Sequence, residues 1–288
     1  MRLDNERESE NVEDRRGSGV GIGTIGVGTT VVALIASYFL GIDPRVILGL
    51  AETVQEVRQS APANAKPIDP ATDPEAALKR EMARVLAKTE DTWSELFQQM
   101  GNTYQKPKLV LYTGVTPTSC GKGQAAMGPF YCPGDQKVYL DMSFFRELSQ
   151  RFHASGDFAR AYVIAHEIGH HVQNQLGVME KTNAMRARMS QTQNNMMSVR
   201  VELQADCLAG VWAFQANRKK PFLDTGDVEA ALAAATAIGD DALQRQSRGE
   251  VVPDSFTHGT SAQRVRWFKA GLDGGTIKAC DTFNASTL

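Results

Sequence analysis

His166-Glu167-Ile168-Gly169-His170 lies within the run VIAHEIGHHVQNQLG (163–177), which holds three of the chain's five histidines. On a helix of 3.6 residues per turn, His166 and His170 stand one turn apart and project from one face. Two neutral imidazoles so placed suit a borderline-soft cation such as Zn2+, and Glu167 can lean toward a water on that ion. His171 is five positions from His166, about 140° around the axis, so it cannot share that ligand face. Gly169 costs about 1 kcal/mol relative to alanine in a helix interior. Its presence predicts that another backbone, or a substrate, comes close there.

Two histidines do not complete a site, because a catalytic zinc takes three protein ligands and keeps one position open. The third ligand could come from His153, His258, a cysteine or a carboxylate. A metzincin would need a histidine six residues after His170, and residue 176 is Leu. The stretch VELQADCLAG (201–210) offers a better completion. Glu202 and Asp206 share a helix face one turn apart, while Ala205 and Ala209 leave room for a second helix. Glu202 is read as the third ligand, and Asp206 as a carboxylate that holds a ligating imidazole by its other N–H. Two acids one turn apart also occur on ordinary solvated helices; the upstream His-Glu-x-x-His is what favours ligation.

The elements that position these residues follow from periodicity. Leu78, Met82, Val85, Leu86, Trp93, Leu96, Phe97 and Met100 recur at three- and four-residue intervals, predicting an amphipathic helix from about Glu75 to Gly101. KLVLY (108–112) and KVYLD (137–141) are strand-like, and the glycine- and proline-rich connection between them carries Cys120 and Cys132. This predicts a small sheet with its connection stapled by Cys120–Cys132, a closure worth about 3 kcal/mol in the chain-entropy model. Helices are expected over Asp157–Gly177, about Ser198–Asn217, about Asp227–Gln246, and from Thr260 or Ser261 onward. The segment 178–197 is polar and methionine-rich without strong periodicity, and reads as a loop or a helix over the site.

Val20–Ile42 contains no charged residue and its 23 residues are long enough to cross a bilayer as a helix. The acidic n-region and the lack of a cleavage-like site argue against a removed signal peptide. Arg2, Arg7, Arg15 and Arg16 precede the run, while only Arg45 and Arg58 follow closely. This bias predicts an inner-membrane protein crossing once, with its N-terminus inside and the remainder periplasmic or extracellular. There, the four cysteines become plausible disulfides. QSAPANAKPIDPATDP (59–74) reads as an extended spacer. The expected organisation is a cytoplasmic tail (1–19), a transmembrane helix (20–42), a proline-rich linker (43–74) and a metallopeptidase domain (75–288). A formal net charge of −2 argues against a nucleic-acid partner.

NVEDRRG, the glycine-rich apolar run, GPFYCPGDQKVYLD, HEIGHHVQ, ELQADCLAGVW and FTHGTSAQR together resemble the bacterial putative neutral zinc metallopeptidase family, which is gluzincin-like. The resemblance covers nearly the whole chain. It implies His166, His170 and Glu202 as zinc ligands, Glu167 as general base, and Asp206 as the partner of His166. It also implies that His258 donates to an oxyanion. Arg264 is read as orienting either Asp206 or its helix. Cys207 follows Asp206 but points about 100° away from it, so a disulfide to Cys280 is favoured over ligation. In such proteins a strand edge beside the metal helix receives an extended substrate; KVYLD and GQAAMG are the candidates for that edge, with ordinary sheet as the alternative for either.

The fold expected is α+β: a mainly helical, zincin-like metallopeptidase domain with a small sheet, behind one N-terminal membrane helix. The function expected is a membrane-anchored, zinc-dependent endopeptidase acting on peptide or protein substrates. A non-proteolytic zinc-stabilised scaffold, a partner-binding membrane protein and a zinc amidase acting on cell-wall peptides are the alternatives.

Overall fold

The computed structural model describes residues 1–17, 68–69, 71–150 and 156–288. The predicted transmembrane helix (20–42), most of the predicted linker and His153 lie outside these residues. Among the described residues no helix is long and apolar enough to cross a membrane.

Eight helices and six strands are described. The helices are α1 (Ala76–Gln99), α2 (Ser143–Gln150), α3 (Asp157–Gln175), α4 (Val178–Arg186), α5 (Gln191–Lys219), α6 (Asp227–Ala237), α7 (Asp240–Arg248) and α8 (Ser261–Gly274). The strands are β1 (Val12–Asp14), β2 (Lys108–Tyr112), β3 (Val115–Thr118), β4 (Gly121–Gln124), β5 (Phe130–Cys132) and β6 (Lys137–Asp141). The architecture is mainly helical α+β. One sheet has the order β1-β2-β6-β5, and β3 and β4 form a separate hairpin. The two strands expected from KLVLY and KVYLD pair in parallel, Lys108 opposite Lys137 through Tyr112 opposite Asp141.

Alternation along these strands divides the sheet. Leu109, Leu111, Val138 and Leu140 enter the main core with the helices. Val110, Tyr112, Cys132 and Tyr139 form a second small cluster on the opposite face. Cys120–Cys132 closes the connection carrying the hairpin, as expected.

α3 is the central helix. Asp157 sits in its first turn, where a carboxylate complements the helix dipole, and Gly177 in the left-handed region follows its end. Nearly every residue from Phe158 to Gln173 is buried, so the helix is enclosed on all sides rather than amphipathic. A Cβ on Gly169 would lie 2.8 Å from the Ala205 carbonyl oxygen. The close approach predicted there is therefore the backbone of α5, and it brings Glu202 and Asp206 alongside the two histidines. α8 crosses the other side of α5 as closely, because a Cβ on Gly271 would collide with the Cys207 carbonyl. Cys207–Cys280 ties that same helix to the C-terminal segment.

Three expectations are corrected. α5 begins at Gln191 rather than Ser198, because Ser190 and Gln193 form a capping box that starts the helix before its apolar part. With α4, it makes the 178–197 segment helical. The helix expected over Asp227–Gln246 is two helices broken around Gly239, whose Cα is pressed against Ser261 and leaves no space for a Cβ.

The third correction concerns the N-terminus. Residues 1–15 belong to one compact unit with residues 70–288 rather than forming a separate tail. β1 pairs in parallel with β2, and Leu3 is buried in the main core. Glu90 on α1, 1% exposed, receives hydrogen bonds from Ser9, Asn11 and Arg7. Lys79 pairs with Asp14, and Lys137 with Glu13. A single crossing within 20–42 would carry residues 1–15 and the domain to opposite faces of the bilayer. Residues 1–15 and 70–288 pack as one unit.

Candidate metal centre

Nε2 of His166 lies 3.2 Å from Oε2 of Glu202, and Nε2 of His170 lies 3.4 Å from the same oxygen. The three donor atoms fall within 4.8 Å of one another, and among the described residues this is the one cluster of three or more such groups able to hold a metal ion. His166 and His170 are one turn apart on α3, while Glu202 comes from α5 across the Gly169 contact. Glu167, buried beside them, is close enough to favour the charged form of His170.

The electrostatics suit a cation. Burial would depress the His166 imidazole, but the charge and hydrogen bond of Asp206, aided by Glu202, push it up to about 10. His170 is likewise raised against burial, chiefly by Glu202. Burial alone would raise Glu202, yet His170 and His166 hold it well below the usual carboxylate range. Positive charge is therefore stabilised where the three donors meet. Two imidazoles and one carboxylate are the donor chemistry that zinc accepts, with a fourth position left for water or substrate.

Each imidazole is held from behind. His166 Nδ1–H donates to Asp206 Oδ1 at 2.8 Å. Asp206 is fully buried and also accepts from Tyr162 Oη (2.6 Å) and from Arg264 through both Nε (2.9 Å) and a terminal nitrogen (3.0 Å). Burial would raise Asp206, but Arg264 and His166 bring it down to about 2, so it stays an anion behind the ligand. Arg264 thus contacts Asp206 directly. Tyr162 was not foreseen, although it lies four residues before His166 on the same helix face. His170 Nδ1 faces Gln173 Oε1 at 2.9 Å.

His171 is fully buried on a different face. Its Nε2–H donates to the Gln105 carbonyl at 2.6 Å, and its Nδ1 accepts from Tyr131 Oη at 2.9 Å. It thereby fastens the 102–107 loop and β5 to the metal helix. KVYLD, now β6, has β2 on one side and β5 on the other, so it offers no free edge. GQAAMG starts in β4, outside that sheet. β5 is the outer strand beside α3.

His258 is placed by a feature that sequence reasoning missed. Asp240, in the first turn of α7, accepts the backbone N–H groups of Thr257, His258 and Gly259 on one oxygen, at 2.6–3.0 Å. Its other oxygen lies 3.2 Å from His258 Nδ1. The loop is wrapped around a carboxylate, leaving the His258 Nε2 edge directed elsewhere. His258 remains half-exposed. Burial acts to lower it, but the Asp240 hydrogen bond and the charge of Glu202 raise it overall. Nothing in the local sequence links position 240 to position 258.

Two helix-borne imidazoles and a carboxylate from a second helix, with a glutamate beside the first imidazole, form a cluster of donors with the composition of a His2Glu site. Comparison of the whole sequence gives the corresponding family. Residues 1–283 match the family described as "Putative neutral zinc metallopeptidase", and the chain belongs to that family. Zinc is the metal that description names. The chain is 49% identical to uncharacterized protein YpfJ of Escherichia coli (strain K12), over 99% of this chain and 100% of that protein. It is 45% identical to uncharacterized protein Rv2575 of Mycobacterium tuberculosis (strain ATCC 25618 / H37Rv), over 64% of this chain and 65% of that one. No solved structure matches.

Proposed function

We propose that this chain is a zinc-dependent endopeptidase, with His166, His170 and Glu202 as the metal ligands. The observation that carries this reading is the convergence of their three donor atoms with Glu167 alongside. Zinc, when bound, polarises a carbonyl and lowers the pKa of water in its open position. Glu167 takes the proton of the attacking water and delivers it to the leaving amine. His258, its Nδ1 side held by Asp240, presents Nε2–H to the carbonyl oxygen as negative charge develops there. Asp206 and Arg264 keep His166 oriented throughout. An extended peptide pairs with the outer edge of β5, which His171 and Asn174 hold against the metal helix through Tyr131.

We further place the enzyme at the membrane through Val20–Ile42, with residues 1–15 and the domain together on the oxidising side. The two disulfides support that compartment.

The experiment uses the full chain. Glu167→Gln should retain one zinc per chain while hydrolysis of an unstructured protein falls by at least about 100-fold, the lower end of what a general base contributes. Undiminished hydrolysis in this variant would refute the mechanism, and native material without zinc would refute the centre. Hydrolysis of cell-wall peptides but not of proteins would point instead to the amidase.

A further inference from the structure

The two histidine ligands are supported by unlike groups. Behind His166 stands a carboxylate held by an arginine, whereas behind His170 stands the neutral amide of Gln173. Gln173 is fully buried, and its orientation follows from its other partners. Its Nε2 donates to the Val201 carbonyl at 2.7 Å and to Gln204 Oε1 at 3.0 Å. Gln204 Nε2 donates in turn to the Cys280 carbonyl at 3.0 Å. Main-chain carbonyls only accept, so each amide can point in one direction alone. Gln173 Oε1 must then face His170, and the His170 Nδ1 must carry a proton to meet it.

We propose that Gln173, locked by Val201, Gln204 and Cys280, is a positioning residue that keeps the proton of His170 on Nδ1 and its Nε2 turned toward Glu202. The inference rests on the zinc reading for its consequence, but the hydrogen bond exists with or without metal. Val201 precedes the ligand Glu202, so one amide connects both ligand-bearing helices. Cys280 is the disulfide partner of Cys207, so the relay ends on a covalently fixed segment. A neutral amide orients the ring without adding a further negative charge to the centre. Reversing it would set a donor against Nδ1–H and an acceptor against two carbonyl-type oxygens.

The test compares the unaltered full chain with Gln173→Met, which is similar in size and cannot accept from Nδ1–H, and with Gln204→Met, which never touches the ligand. In metal-free protein labelled with 15N-histidine, the His170 Nδ1–H should exchange slowly with solvent, and Gln173→Met should abolish that protection. Competition against a chelator should show zinc binding weakened about 10- to 100-fold in Gln173→Met. Gln204→Met should lose less, because Val201 still holds the amide. A purely packing role would lower the melting temperature of the metal-free protein while leaving zinc affinity of the folded chain unchanged, and would overturn the proposal. So would persistent Nδ1–H protection in Gln173→Met. An unaltered chain that binds no zinc yet shows the expected protection pattern would sink the zinc reading and leave the positioning role standing.

Discussion

His171, next to His170, joins Tyr131 and Gln105 to α3 and has a measurable pH signature. Burial pushes its imidazole down to about 4, against the opposing effect of its hydrogen bond to the Gln105 carbonyl, whereas an unfolded chain protonates near 6.5. The folded pKa is depressed, so the unfolded state takes up the proton first as pH falls. The stability contributed by the neutral ring is complete above pH 6.5 and is lost between about 6.5 and 4, on the order of 3 kcal/mol. His166, raised in the folded state, is protonated throughout that window and adds little slope below pH 6.5. Urea unfolding of metal-free protein at several pH values should therefore show a flatter decline in His171→Gln than in the unaltered chain. Equal slopes would mean that His171 is not held neutral.

At the scale of elements, β1 and the chain leading to it are integral to the domain. Glu90 is buried on α1, and three of its hydrogen-bond donors come from residues 7, 9 and 11. Hydrogen bonds to a charged group contribute about 1.5–3 kcal/mol each. Ser9→Ala and Asn11→Ala should each lower unfolding free energy by about that amount, measured by urea titration of the full chain. Changes below about 0.5 kcal/mol in both would show the arm to be dispensable. A chain beginning at residue 75 would lack these donors and the strand that covers β2, so it is the wrong starting point for biochemical work.

For the whole molecule, the packed arm constrains topology. All four cysteines are in disulfides, so a single introduced thiol can be labelled selectively. Asp4→Cys and Glu250→Cys, both at exposed positions, should react with an impermeant maleimide from the same side, whether assayed in spheroplasts or in inverted vesicles. Reaction from opposite sides would restore the single crossing that arginine counting predicts. That rule weighs charges near an apolar run, and it has no access to the tertiary contacts that bind Arg7 to Glu90 and Asp91.

What the sequence determined by itself was the chemistry that local period governs. Residues four apart on a helix must share a face, so His166 with His170, and Glu202 with Asp206, were legible as pairs able to face one site. The same logic excluded His171. Gly169 marked a close approach because a glycine inside a buried helix demands a neighbour. Cys120–Cys132 and Cys207–Cys280 were only favoured from sequence, and the tertiary structure decided the pairing. Only the tertiary structure decided which long-range partners complete each group: Gln173 with Val201 and Gln204, Asp240 with His258, Tyr131 with His171, and the N-terminal arm with Glu90. Each of these contacts joins segments whose separation carries no period, and each depends on how whole helices and strands pack. The helix turn is repeated in every sequence window, whereas a hydrogen bond between residues 240 and 258 exists only once the chain has closed around it.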